Sequence, residues 1–217
     1  PRGHRFEAKR ILFVGRTPTD YVFERPDWWV NQCRVLAEYY RAWQFGAGHI
    51  DYRDYRTILD LAGGKKKDNF RQETDTISRL VYGFASAYLL TGEEDFLDAA
   101  EKGTQYLRDH MRFVDLDEDI VYWYHGIDVS GDREQKVFAS EFGDDYDAIP
   151  MYEQIYALAG PVQTYRITGD PRILSDVDAT LRLFERSFRD REKGGYFSHI
   201  DYATLRQHNP KLIYASA

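Results

Sequence analysis

The sequence predicts an all-α protein of the α/α-toroid type, in which antiparallel helix pairs repeat around a ring and short β-hairpins stand at one rim. Three observations predict it: a supersecondary plan used twice, apolar residues spaced three and four apart, and glycine-led turns short enough to force successive helices antiparallel. In the first copy, Ile77, Leu80, Val81, Phe84 and Tyr88 lead to Thr91-Gly92, then Phe96, Leu97, Ala100, Leu107 and Met111, then the strand-like Tyr122-Trp123-Tyr124 ending at Asp128. In the second, Ile155, Leu158, Val162 and Tyr165 lead to Thr168-Gly169, then Ile173, Leu174, Val177, Leu181, Phe184 and Phe188, then Gly194-Gly195-Tyr196-Phe197 ending at Asp201. Tyr88 and Tyr165, like Gly92 and Gly169, stand 77 residues apart, and repetition on that scale means one unit used again. The unit reads as helix, tight turn, helix, short hairpin.

Apolar residues three and four apart line one face of a 3.6-residue helix, whereas strands would require alternation. At the second junction Gly169 supplies the left-handed residue that closes a helix, Asp170 caps the next one, and Pro171 occupies a first turn where its missing N–H costs nothing. Earlier in the chain, Trp29, Val30, Cys33, Leu36, Ala37, Tyr40 and Trp43 predict a helix from Asp27 to about Phe45, the last helix of a preceding unit. Residues 1–26 read as an extended arm. Ile11-Leu12-Phe13-Val14 before Gly15 is strand-like, but no G-x-G-x-x-G follows and Pro18 and Pro26 interrupt any phosphate-carrying helix. Gly46 to Gln72 reads as a polar loop, with Tyr55, Ile58, Leu59 and Ala62 open to one short helix. Arg79 sits near the start of the helix Glu73 to Leu90, where it either reaches a carboxylate between helices or offers its fork of donors to a ligand oxygen.

Composition bounds the function. With 217 residues, 43% hydrophobic and 16% aromatic, the chain fills one domain, 1–217, rather than two. A net charge of −7 argues against nucleic acid as partner, since phosphate neutralisation needs a basic face. The one basic run, Lys65-Lys66-Lys67, follows Gly63-Gly64 without P-loop spacing and reads as a solvated loop. No apolar run reaches membrane-spanning length and no secretory signal is visible. The single cysteine, Cys33, reads as a buried thiol beside Trp29, Val30 and Ala37. It suits a reducing compartment, so a cytoplasmic location is expected. The chain begins at Pro1 rather than methionine, which fits a piece of a longer protein.

The six histidines show no helical i, i+3 or i, i+4 pairing, so no metal and no other cofactor is expected; no G-x-S-x-G elbow occurs either. Tyr122, Trp123, Tyr124 and His125 read as an aromatic hairpin arm turned by Gly131, either stacking on the apolar face of a sugar at the rim or simply packing. Glu141, Asp144, Asp145 and Asp147 read as a solvated acidic loop.

Tyr152-Glu-Gln-Ile-Tyr156-Ala-Leu-Ala, Tyr165-Arg-Ile-Thr-Gly-Asp170 and Gly194-Gly-Tyr-Phe-Ser-His-Ile-Asp201 together resemble the N-acylglucosamine 2-epimerase family, which includes cellobiose 2-epimerases and mannose isomerases. Ser78-Arg79-Leu-Val-Tyr82-Gly-Phe84-Ala followed by Tyr88-Leu-Leu-Thr-Gly92 resembles its first inner-helix motif. The resemblance covers roughly residues 73 to 201. It implies an (α/α)6 barrel, here incomplete, whose inner helices surround a pocket for a mono- or disaccharide, and it leaves room for a homodimer. It implies proton transfer at C2 of an open-chain aldose through an enediolate, with a histidine as base. By position it implies Arg79 and Tyr152 as sugar-binding residues, with Asn209 opening the motif that carries the first catalytic histidine. There the sequence departs from the family: Ile213 stands where histidine belongs and Ser216 where glutamate belongs, so the catalytic residues themselves are unassigned and are expected beyond Ala217. The competing expectations are a glycoside hydrolase or lyase on the same toroid, using residues such as Asp128 and Asp147, and a non-catalytic carbohydrate-binding helical repeat.

Overall fold

A computed structural model describes residues 9, 22–62, 64–65, 69–141, 147–207 and 214–215. Helix α1 spans Trp28–Phe45, and strand β1 (Arg71–Glu73) runs directly into α2 (Thr74–Thr91). Helix α3 (Glu94–His110) is followed by two hairpins, β2–β3 (Arg112–Asp115, Ile120–Trp123) and β4–β5 (Gly126–Ser130, Arg133–Val137). Strand β6 (Ala148–Pro150) leads straight into α4 (Met151–Thr168), then α5 (Pro171–Leu183), a π-helical turn at Phe184–Phe188, and strands β7 (Tyr196–Phe197), β8 (His199–Asp201) and β9 (Tyr214–Ala215). The order reproduces helix, tight turn and helix twice; the first copy ends in hairpins, whereas in the second β7 and β8 pair with β9 and β6, and among the described residues the expected hairpin is reduced to a single Arg189–Tyr196 bridge.

Both helix pairs are joined by two residues. Gly92 and Gly169 lie in the left-handed region at φ 70° and 67°, each donating its N–H to the carbonyl of Tyr88 or Tyr165; a side chain would strain that conformation, which is why glycine stands at both. Asp170 then caps α5 by accepting from the backbone N–H of Arg172 at 2.9 Å. Hydrogen bonds from the Arg172 guanidinium and from that N–H hold the Asp170 carboxyl down at about 2, so the cap stays ionised.

Helix α2 is the centre, packed against α1, α3 and α4. Its contact with α4 is close because Gly160 has no side chain: a Cβ there would lie 2.3 Å from the Ser78 carbonyl oxygen and 2.7 Å from Val81 Cβ. The next residue, Pro161, lies inside α4 and has no N–H for the carbonyl of Ala157. Ser78, fully buried, repairs that gap: its hydroxyl donates to Ala157 O at 3.0 Å and accepts from Gly160 N at 2.8 Å.

The buried apolar residues form two clusters. One joins α1 to α4 around Ile77, Val81, Phe84, Phe96 and Leu107. The other, Ile120, Tyr122, Tyr124, Ile149, Leu183, Phe184, Phe188 and Ile200, lies beneath the hairpins. Strands β1, β4 and β5 form one antiparallel sheet, β6 pairs β8, and β7 pairs β9. Since β1 and β6 enter α2 and α4 directly, the hairpins gather at the N-terminal ends of those helices. Among the described residues no helix is long and apolar enough to cross a membrane.

Several expectations are corrected. Most of the arm 1–26 lies outside the described residues; within it, Val22–Glu24 is a 3-10 turn rather than extended chain. The segment 46–72 is no free loop and has no helix over 55–62. It makes a 3-10 turn at Tyr52–Asp54, and its Tyr52 and Tyr55 are core residues, 2% and 5% exposed, with the Tyr52 hydroxyl donating to Ala99 O at 2.9 Å. Lys65 is not a solvated charge, since its ammonium donates to the carbonyls of Gln44 and Asp54 and burial lowers its pKa; Lys66 and Lys67 lie outside the described residues. Gly131 turns β4–β5 rather than the aromatic hairpin, whose turn is 116–119. Cys33 is half-buried rather than buried.

The Ser78 bridge gives a direct test. Ser78→Ala leaves the Ala157 carbonyl buried without a donor and is expected to lower stability by about 1–3 kcal/mol. Gly160→Ala is expected to destabilise as well, despite the better helix propensity of alanine, by about 1–3 kcal/mol from overpacking against backbone. Urea unfolding followed by circular dichroism reads both, and unchanged midpoints would contradict the account.

Candidate functional site

Helices α2 and α4 each bury one face and expose the other. On α2 the exposed series is Arg79, Tyr82, Gly83, Leu89 and Leu90; on α4 it is Tyr152, Ile155, Tyr156, Val162 and Arg166. Both series follow helical spacing, and because the helices pack side by side the stripes merge into one wall rich in tyrosine. Exposed tyrosine, leucine, isoleucine and valine side chains gathered on neighbouring helices suit a surface that a ligand or further protein covers.

At the hairpin end of the wall, Tyr152 and Tyr156 meet edge to face with centroids 6.3 Å apart. The Arg79 guanidinium lies 4.6 Å from the centre of the Tyr156 ring and also pairs with Asp75 one turn earlier. Such stacking holds a cation in place while leaving its outward N–H groups free to donate. Arg79 is 52% exposed, so the fork faces open space. The side chain also borders a cavity of about 350 Å³ shared with Tyr40, Gln44, Tyr55, Thr57 and Thr76. There the Tyr55 hydroxyl donates to Thr76 Oγ1 at 3.0 Å, and burial pushes its pKa up to about 12, which keeps it a proton donor at any physiological pH.

Behind the wall, buried polar groups fix the first turns of both helices. Gln154, 1% exposed, acts as an extra strand partner for Trp123: its Oε1 accepts from Trp123 N at 2.8 Å and its Nε2 donates to Trp123 O at 2.9 Å. Gln72 does the same for the 46–72 segment, donating from Nε2 to Tyr52 O at 3.0 Å and to Tyr55 O at 2.9 Å, while Oε1 accepts from the Tyr106 hydroxyl at 2.7 Å. His125 Nδ1 lies 2.8 Å from Glu153 Oε1. Arg71 forks onto Asp128 at 2.6 and 3.3 Å and reaches Glu141 at 3.1 Å.

The structure thus brings Arg79 and Tyr152 into one contiguous group through Tyr156, which the sequence reading did not single out as a ligand contact. Asn209 lies outside the described residues, as do Ile213, Ser216, Asp144 and Asp145. Trp123 is a correction. Expected at the rim, it is 1% exposed, with its indole N–H donating to Thr180 Oγ1 at 3.1 Å, so neither ring face is available to a sugar. The cause is that β3 is buried along its whole length under α4 and α5, which takes Tyr122 and Tyr124 inside as well. Tyr55 was missed because it stands among alternating charges, where only the recurrence of tyrosine in Asp51-Tyr-Arg-Asp-Tyr55 hinted at a packed face.

Helix pairs repeating side by side, with every long connection at one rim and a tyrosine-and-arginine wall opening there, define a portion of an α/α toroid. Solved structures agree. A cellobiose 2-epimerase from Bacillus thermoamylovorans superposes with a TM-score of 0.59 at 16% identity, covering 83% of this chain and 42% of that one. A D-mannose isomerase gives 0.59 at 18% identity, covering 79% and 40%. An α-1,6-mannanase of Salegentibacter gives 0.51 at 14% identity, covering 76% and 43%. At these identities the likeness is one of fold.

The model of the N-acylglucosamine 2-epimerase family matches residues 55–216, and the chain belongs to that family. A curated relative, the cellobiose 2-epimerase of Bacteroides fragilis, is 29% identical over 122 residues, which are 55% of this chain and 26% of that protein. The chain therefore matches well under half the length of these relatives.

The clamp behind the wall is testable. Gln154→Leu leaves the Trp123 N–H and C=O buried without partners and is expected to cost about 2–4 kcal/mol, with a change in tryptophan fluorescence at the unfolding midpoint. Wild-type stability in this variant would refute the clamp.

Proposed function

We propose that this chain forms the first part of a sugar 2-epimerase or aldose–ketose isomerase and supplies one wall of its saccharide pocket. The observation that supports it most is Arg79 held over Tyr156 beside Tyr152, on the exposed face of adjacent inner helices in this family's fold. In this reading residues 1–217 are one domain of a larger ring, and the base is carried by helices that follow. The substrate is a mono- or disaccharide in its open-chain form. A base takes the proton from C2 and the electron pair moves to the carbonyl oxygen; the enediolate regains a proton at C2 from the other face, giving the epimer, or, once the C2 hydroxyl proton has moved to O1, at C1, giving the ketose. Arg79 donates to the oxygen on which charge develops, where preorganised donors contribute most. Tyr152 and Tyr156 offer ring area to the sugar and a hydroxyl to its oxygens. Asn209 is retained as a further sugar contact.

A hydrolase reading has one feature in its favour, that Asp128 and Asp147 line the same cavity of about 290 Å³. The Arg71 guanidinium that forks onto Asp128 disfavours it, since both oxygens of that carboxylate are already engaged. The half-buried free thiol of Cys33 suits a cytoplasmic setting, and a homodimer is retained as the assembly.

Incubating the full-length protein with mannose, N-acetylmannosamine or cellobiose in deuterated water is expected to place deuterium at C2 of an epimer, or at C1 of a ketose, formed from one of them. Cleavage would select the hydrolase, and binding with neither outcome a carbohydrate-binding module. Arg79→Lys keeps the charge but loses the fork and is expected to lower kcat/KM by roughly tenfold or more, whereas an unchanged value would remove Arg79 from the site.

A further inference from the structure

One partly buried imidazole is left unused by the proton-transfer reading. His125 occupies the corner between β3 and β4. Its carbonyl accepts from Thr74 N at 3.0 Å, and the Thr74 hydroxyl donates to the preceding carbonyl, that of Tyr124, at 2.5 Å, so the corner is fixed to the first turn of α2. Its ring Nδ1 lies 2.8 Å from Glu153 Oε1 in the first turn of α4, and each of the two side chains is only 11% exposed. Glu153 stands between Tyr152, whose ring is on the wall, and Gln154, whose amide clamps Trp123. A single residue therefore joins the starts of both wall helices.

We propose that His125, as an imidazolium, is a positioning residue for the saccharide site: its ion pair with Glu153 holds the first turn of α4 against that of α2, and so sets the spacing between Tyr152 and Tyr156 on one helix and Arg79 on the other. The inference rests on the sugar-binding reading of that wall. It is a tie of charge as well as of geometry, because a neutral imidazole at the same place keeps one hydrogen bond and loses the attraction that offsets desolvation of the carboxylate.

The charged groups that act on His125 come from two elements, α4 and β1. Glu153 faces it from α4, Glu73 from the end of β1 and Arg71 from the start of that strand, while Asp75 on α2 acts on Glu73. Burial alone favours the neutral ring. The Glu153 hydrogen bond and the charges of Glu153 and Glu73 outweigh it, with Arg71 opposing, and the pKa is raised above 6.5. For a histidine with a raised folded value, the tie is fully present below about 6.5 and is lost as pH rises through the folded value. Saccharide affinity should therefore weaken on the alkaline side.

The test titrates mannose and cellobiose into the full-length protein by calorimetry between about pH 6 and about pH 9, and compares KM and kcat over the same range. Wild type is expected to lose affinity roughly two- to tenfold across that range, in KM more than in kcat. Glu153→Gln, which keeps an acceptor for the ring but removes the charge, and His125→Asn are both expected to bind at the weak level with no such slope. A flat wild-type profile, or a Glu153→Gln profile parallel to wild type, would overturn the proposal. If His125→Asn does not fold, Glu153→Gln decides alone. Should wild type bind neither sugar at any pH, the saccharide reading fails and the positioning role with it. The tie itself is then read from urea midpoints, which should fall with rising pH in wild type more steeply than in Glu153→Gln, equal slopes ruling it out.

Discussion

The architecture depends on the line where α2 and α4 touch. Two helices can lie this close only where one of them has no side chain, and Gly160 provides that gap directly over the Ser78 carbonyl. The same turn contains Pro161, which deprives α4 of a backbone hydrogen bond. Both costs are met by one hydroxyl from the neighbouring helix, so α4 is locally incomplete until α2 is beside it. The pairing of the two helices is thereby specified in register, and the side chains on their exposed faces come to stand at fixed offsets.

A second principle runs through the hairpin end. Strands and segments there are held to helices by buried amide and hydroxyl side chains that imitate backbone. Gln154 pairs with Trp123 as a strand would, and Gln72 gathers the carbonyls of the 46–72 turn. Among the described residues no buried side-chain nitrogen or oxygen lacks a partner, which matters because each such group left alone would cost on the order of 1–3 kcal/mol. These networks place Arg79 and the tyrosines on a rigid support, the condition under which a ligand oxygen can be met by a preset donor.

Much of this was legible in the residues. The helix pairs, their two-residue turns and their boundaries follow from spacing and from Gly92 and Gly169, because amphipathic periodicity and capping are local. Arg79 and Tyr152 were singled out by resemblance and position, and the structure brings them together through Tyr156. What the sequence could not show was direction: Tyr122-Trp123-Tyr124 looks the same whether a hairpin stands out at a rim or folds under α5, and only the latter buries enough apolar surface to fill the space below the sheets. Likewise Tyr52 and Tyr55 sit among charges whose carbon stems and neighbours lie at the surface while the rings point inward. Gln154 and Gln72 gave no signal at all, since a glutamine that completes a strand is indistinguishable in sequence from one in solvent.

The two glycine turns have a consequence for how such a ring can diversify. Among the described residues, Gly92-Glu93 and Gly169-Asp170 alone join α2 to α3 and α4 to α5, so there is no chain to lengthen there without prising those helices apart. The other side is spanned by some forty residues between α3 and α4, whose hairpins rest on a buried apolar cluster. Insertions, deletions and new loops are thus channelled to a single mouth, and a lineage built on this plan can reshape that mouth while its floor stays the same.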